Sequence, residues 1–159
     1  MAAKKTLIVI GAAALITYIL MKGNKAFAAL TSSQTIRGCD PLGCGEFGAP
    51  RGARKHNGID IVATPGQTIF SPISGKVNRM AYPYADDLSY KGLEIQNDQY
   101  KVKIFYINPT IAIGSQVKAG DKIAVAQNIS AKHGAAMTNH VHFEVYDRTG
   151  KLIDPTKMI

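Results

Sequence analysis

Beyond residue 35 the chain alternates apolar and polar residues at period two, in short runs broken by Gly and Pro. That is the pattern of half-buried strands. The run Gly58-Ile59-Asp60-Ile61-Val62 alternates and stops at the turn Thr64-Pro65-Gly66. Further strands are expected over 68–71, 75–77, 94–96, 102–107, 123–126 and 141–146. No part of this region keeps a 3.6-residue period for long, so the expected class is all-β. Residues 81–90 read as a polar, aromatic loop with Tyr82, Tyr84 and Tyr90 around Asp86 and Asp87. The stretch 63–69 lines up with 117–123, each a turn, a Gly and a strand. This is either a duplicated hairpin motif or two turns that look alike.

The N-terminal pattern differs. Thr6 to Met21 is a run of sixteen uncharged residues with Lys4 and Lys5 before it and Lys22 and Lys25 after it. As a helix it would span roughly 24 Å, short of a hydrocarbon core of about 30 Å, and flanking lysines can snorkel across the difference. Residues 1–25 are therefore expected to form a hydrophobic helix. It serves either as a transmembrane anchor or as a signal peptide, with Ala26-Phe27-Ala28 as the cleavage signal. A buried soluble helix fits poorly, because the segment is apolar all round. Residues 26–35 read as a linker and 36–159 as the folded domain. The α-amino group favours an inside N-terminus, which puts the domain outside the cytoplasm or on a virion membrane.

Composition narrows the class further. The 159 residues suit one domain plus an appendage. With 46% hydrophobic and 19% charged residues, the chain can bury a core. Four of the eight net positive charges are the lysines around the apolar run. What remains is too weak to argue for nucleic acid, and none is expected as a partner. The two cysteines, Cys39 and Cys44, flank Asp40-Pro41-Leu42-Gly43. On an exported chain an even count and a turn-forming spacer suggest one disulfide. Two independent thiols or a pair of metal ligands are the alternatives.

Three of the four histidines fall in two clusters, His56-Asn57-Gly58-Ile59-Asp60 and His140-Val141-His142. Residues two apart on a strand share a face, so His140 and His142 point the same way, and His56 shares its parity with Asp60. If the two strands are neighbours, His56, Asp60 and one histidine of the pair converge on one cation. Two His and one carboxylate leave a tetrahedral position open, which is a catalytic zinc pattern. Surface histidines beside a solvated Asp are the plain alternative.

The same residues carry a resemblance. Arg54 to Ile61, Ala63 to Ile69, Ser71 to Val77, Gln116 to Ile123 and His140 to Glu144 resemble, in that order, the lysostaphin/LytM-type zinc metallopeptidases. The resemblance covers about residues 36–156. It implies a twisted antiparallel sheet with a second small sheet, zinc held by His56, Asp60 and His142, and a catalytic role for His140. It also implies peptidoglycan as substrate, with cleavage of the peptide cross-links of bacterial cell walls; a short, tethered one-domain enzyme suits a cellular or a phage-borne owner alike. Locally, Ile36 to Gly45 and Lys103 to Ile107 resemble a vertebrate chemotaxin branch that carries the Cys39–Cys44 type of disulfide and is regarded as non-proteolytic. Active members carry a further histidine where Ile107 stands here. An isoleucine can neither donate a hydrogen bond nor hold an oxyanion. His133 is the first candidate to replace it and Tyr106 the second. A zinc-binding module without hydrolysis, serving as a wall-binding, scaffold or activator protein, is the alternative function.

Overall fold

Ile59 and Ile61 are fully buried, and Asp60 between them projects from the opposite face of the same strand. This alternation organises the domain. The computed structural model describes residues 27–159; the hydrophobic helix expected over 1–25 lies outside them. Among the described residues no helix is long and apolar enough to cross a membrane.

The described chain is all-β apart from one short helix. In order it forms β1 (Cys39–Asp40), β2 (Gly43–Cys44), β3 (Pro50–Arg51), β4 (Arg54–Lys55), β5 (Ile59–Val62), β6 (Thr68–Phe70) and β7 (Gly75–Ala81). There follow β8 (Gly92–Gln96), β9 (Tyr100–Phe105), β10 (Ile107–Pro109), β11 (Gln116–Val117) and β12 (Lys122–Ala126). The helix α1 (Ser130–His133), β13 (His140–Asp147) and β14 (Leu152–Ile153) complete it. The large sheet runs β11-β7-β8-β9-β13-β14, with β5 also paired to β13. A small sheet runs β10-β12-β6, and β1-β2 and β3-β4 are separate hairpins. Every pairing is antiparallel.

The core lies between the two sheets. The large sheet contributes Ile59, Ile61, Leu93, Ile95, Val102, Ile104, Val141, Phe143 and Val145, and the small sheet contributes Ile69, Ile107 and Ile123. Each alternates with residues on the outer face, where Asp60, Phe105, His140, His142 and Glu144 gather. Strands β5 and β13 approach closely beside them. A Cβ on Gly58 would stand 2.2 Å from the Phe143 carbonyl oxygen, so only glycine fits there.

The repeat at 63–69 and 117–123 is a structural one. The Gly66 N–H donates to the Ala126 carbonyl and the Gly120 N–H to the Ser71 carbonyl. Both glycines have φ near +90°, as such turns require. The Gln67 side chain caps the Thr64 N–H, and the Asp121 side chain caps the Lys118 N–H. The two units meet in the small sheet, where β6 pairs with β12.

Two expectations need correction. Residues 26–35, read as a linker from their small polar composition, pack onto the domain from Phe27 onward. Phe27 is buried between Tyr100 and Phe143, and Leu30 is fully buried and accepts the Phe70 N–H. The apolar residues in that stretch had core to cover. The strand expected over 102–107 breaks at Tyr106, whose φ of +63° turns the chain from the large sheet into the small one.

Candidate metal centre

β5 and β13 are adjacent, and their register sets His142 directly opposite Asp60. The strand pleat aims both side chains away from the core. His56 reaches the same point from the loop between β4 and β5. The atoms His56 Nε2, His142 Nδ1 and Asp60 Oδ1 form a tight triangle. Its edges are 2.9 Å between the nitrogens, 3.1 Å from His56 to Asp60 and 3.0 Å from His142 to Asp60.

The outer partners decide what those atoms offer. His56 Nδ1–H donates to the Glu46 carbonyl at 2.7 Å, which leaves Nε2 as a lone pair. His142 Nε2–H donates to Glu144 Oε1 at 3.2 Å, which leaves Nδ1 as a lone pair. Two imidazole lone pairs and a carboxylate oxygen therefore converge within 3.1 Å in a buried place. Such an arrangement is repulsive unless a proton or a metal cation lies among them. The edges are close to the roughly 3.3 Å expected between ligands of a tetrahedral zinc, so the donor set fits that ion.

Asp60 is held from its other side. Its Oδ2 accepts from Arg37 Nη2 at 2.9 Å and Arg37 Nε at 3.3 Å, and Arg51 Nη2 lies 3.4 Å away. Burial opposes the Asp60 charge, but with no metal bound any proton taken up by the facing nitrogens of His142 and His56 is shared with the carboxylate, which outweighs burial and holds the carboxyl far below its usual range. Glu144 accepts from Tyr146 Oη at 2.7 Å, with Lys103 Nζ 3.7 Å away, so the carboxylate that orients His142 is itself fixed.

His140 stands beside the triangle. Its Nδ1–H donates to the Thr138 carbonyl at 2.7 Å, and its free Nε2 lies 3.6 Å from Asp60 Oδ1. Burial lowers its pKa from the ordinary value, so the imidazole is neutral near pH 7 and can accept a proton. A cavity of about 410 Å³ opens over these groups. Arg51 and Arg54 line one side of it, and Tyr82, Tyr84 and Tyr106 line another.

His133 borders the same cavity at the end of α1, with Nε2 2.8 Å from Tyr84 Oη. Tyr84 Oη–H donates to Tyr106 Oη at 3.2 Å, which fixes His133 as donor to Tyr84. Tyr106 packs edge-on to His140, with ring centroids 5.4 Å apart. Burial raises the Tyr106 pKa, so its phenol keeps its proton at neutral pH. Ile107 is fully buried in the core and does not line the cavity. The turn at Tyr106 reverses the phase of the alternation there, placing Tyr106 on the cavity and Ile107 in the core. Cys39 and Cys44 form the disulfide, joining β1 to β2.

Sequence reasoning missed Arg37, Arg51, Glu144 and Tyr84. Only Glu144 left a local signal, since its position two residues after His142 puts both on one face. Arg37 is 23 residues from Asp60, and nothing periodic connects them.

A family model described as Peptidase family M23 matches residues 54–155. Bovine leukocyte cell-derived chemotaxin-2 is 32% identical over 145 residues, covering 91% of this chain and 92% of that protein. A zinc containing peptidase from Vibrio cholerae is similar in structure, with a TM-score of 0.51 and 28% identity over 84% of this chain; the match spans 37% of that chain. The catalytic domain of the antimicrobial peptidase lysostaphin from Staphylococcus simulans has the same fold, with a TM-score of 0.53 and 20% identity. That match covers 70% of this chain and 85% of the lysostaphin domain. The ordered motifs, the His56–Asp60–His142 triangle on paired strands and the family match over residues 54–155 lead to one conclusion: the chain belongs to peptidase family M23.

Proposed function

We propose that the protein is a zinc-dependent endopeptidase that cleaves peptide cross-links of peptidoglycan. The observation that carries this reading is the convergence of two histidine lone pairs and one carboxylate oxygen, with the free Nε2 of neutral His140 beside them. His56, Asp60 and His142 would hold the metal. Bound there, zinc would supply Lewis-acid polarisation of the scissile carbonyl and lower the pKa of water towards 7. His140 Nε2 takes the proton of the attacking water and passes it to the leaving amine. Tyr106, kept protonated and supported by Tyr84 and His133, donates a hydrogen bond to the developing oxyanion. Arg51 and Arg54 give the cavity a cationic wall that suits an acidic peptide.

The Cys39–Cys44 disulfide supports a domain outside the cytoplasm, tethered by the apolar segment before residue 26 to a cellular or virion membrane. A second reading is a zinc module without hydrolysis that binds the wall or activates a partner. The observation that favours it is that the cavity position where the chain leaves β9 is held by Tyr106 and not by a histidine. Incubation of the purified protein with peptidoglycan, with and without chelator, separates the two. New peptide termini that disappear with chelator support the enzyme. Intact peptidoglycan with a fully zinc-loaded protein supports the module.

A further inference from the structure

The hairpin closed by Cys39 and Cys44 reaches the metal centre at two points through a single side chain. Asp40 Oδ2 accepts a hydrogen bond from Arg37 Nη1 and another from the Thr138 N–H at 3.1 Å. Arg37 is the residue that clamps Asp60 Oδ2. Thr138 is the residue whose carbonyl orients His140. One carboxylate oxygen in the hairpin thus braces the anionic ligand on one side and the proton-accepting histidine on the other.

We propose that Asp40 is a positioning residue of the metal centre, and that the disulfide hairpin exists to hold it there. This rests on the reading of His56, Asp60 and His142 as metal ligands.

The contact between Arg37 and Asp40 is dry. The side chains of Arg37 and Asp40 are 2% and 9% exposed, so water competes little for the bond between them, while the Thr138 N–H reaches Asp40 at the solvent-facing edge. Asp40 Oδ1 accepts the Leu42 N–H at 2.9 Å, which locks the carboxylate inside its own turn. Arg37 Nη1 also donates to the Gly43 carbonyl at 2.9 Å, and Arg51 Nη2 donates to the Cys44 carbonyl at 2.6 Å. Both arginines at Asp60 are therefore bonded to hairpin carbonyls as well. The residue after the hairpin completes the strap. Gly45 donates to the Arg37 carbonyl and accepts from the Asp60 N–H, and a Cβ there would stand 2.5 Å from the Arg37 oxygen.

The chemistry explains why one buried carboxylate is placed so. With Asp40 present, Arg37 divides its charge between two carboxylates, and Asp60 keeps more of its own charge for the cation. Without it, Arg37 pairs with Asp60 alone and draws it away from the ligand position. Thr138 also loses the acceptor for its N–H, so the peptide that orients His140 is no longer fixed.

The test uses the full chain and measures zinc affinity by competition with a chromophoric chelator. It is run at a temperature where each variant's melting curve shows it fully folded. Under that condition a change in global stability alone leaves affinity unchanged. Asp40→Asn should weaken zinc binding by about 10-fold to 100-fold, the range typical of groups that support a metal ligand. Cys39→Ser combined with Cys44→Ser leaves Asp40 in place but frees the hairpin, and should weaken binding in the same direction. If Asp40→Asn fails to fold, the cysteine pair decides alone. Wild-type zinc affinity in the folded variants overturns the proposal and leaves the ligand assignment standing. Absence of zinc binding by the wild-type protein overturns both.

Discussion

Asp60 and His142 are direct cross-strand partners of β5 and β13, and the histidine's Nδ1 lies 3.0 Å from the carboxylate's Oδ1. A pair in that register, with His56 Nε2 within 3.1 Å of both, needs no side chain to move before it can share a cation. Asp60→Ala should therefore abolish zinc binding, since two neutral imidazoles remain. His140→Ala should keep full zinc occupancy and lose hydrolysis. Elemental analysis beside a peptidoglycan assay checks both. Full zinc content in the Asp60 variant would show that the ligands lie elsewhere.

Glu144 accepts the Nε2–H of His142 and so fixes which nitrogen faces the cavity. Glu144→Ala frees the ring to bind protons or turn, and zinc affinity should fall about 10-fold to 100-fold. The fold should persist, because Val145 and Phe143 on the other face of β13 are untouched. Chelator competition with a circular-dichroism control reads the two effects separately.

Ile107 and Tyr106 make opposite predictions although they are adjacent. Ile107→His puts an imidazole into a fully apolar core, and should cost a few kcal/mol of stability without adding activity. Tyr106→Phe removes only the hydroxyl, and should slow hydrolysis by about 10²-fold to 10³-fold at unchanged zinc content. A gain of activity in the Ile107 variant would mean that the chain turn at Tyr106 is not the one described.

Asp87 anchors the aromatic wall of the cavity through Lys132, whose Nζ lies 2.6 Å from Oδ2 and 4.5 Å from the Tyr84 ring centroid. Hydrogen bonds from Lys132 and then Ser89 hold the Asp87 carboxyl at about 2. A carboxyl lowered on folding contributes stability above its unfolded value of about 3.9, and that contribution is lost as pH falls towards 2. Carboxyl NMR should show a midpoint near that value, moving up towards the ordinary range in Lys132→Met. A wild-type midpoint at the ordinary value would separate this loop from α1.

How much of this was legible in the sequence follows from how far each determinant reaches. Alternation is local, so the sequence alone placed His140 with His142, set Asp60 against Ile59 and Ile61, and made the domain after residue 35 β-rich. The turn-Gly-strand repeat and the short cysteine spacing were equally local, and the small sheet and the disulfide carry them. Only the tertiary structure decided the rest. The register of β5 against β13 depends on which apolar faces pack together, and it alone brings His142 to Asp60. Arg37, Asp40 and Thr138 are joined by contacts between distant parts of the chain, to which no period points. Tyr106 is the sharpest case. Continued as a strand, residues 102–107 would have put Ile107 on the cavity face. One residue at φ +63° reverses that phase, because the chain must leave the large sheet there to begin the small one.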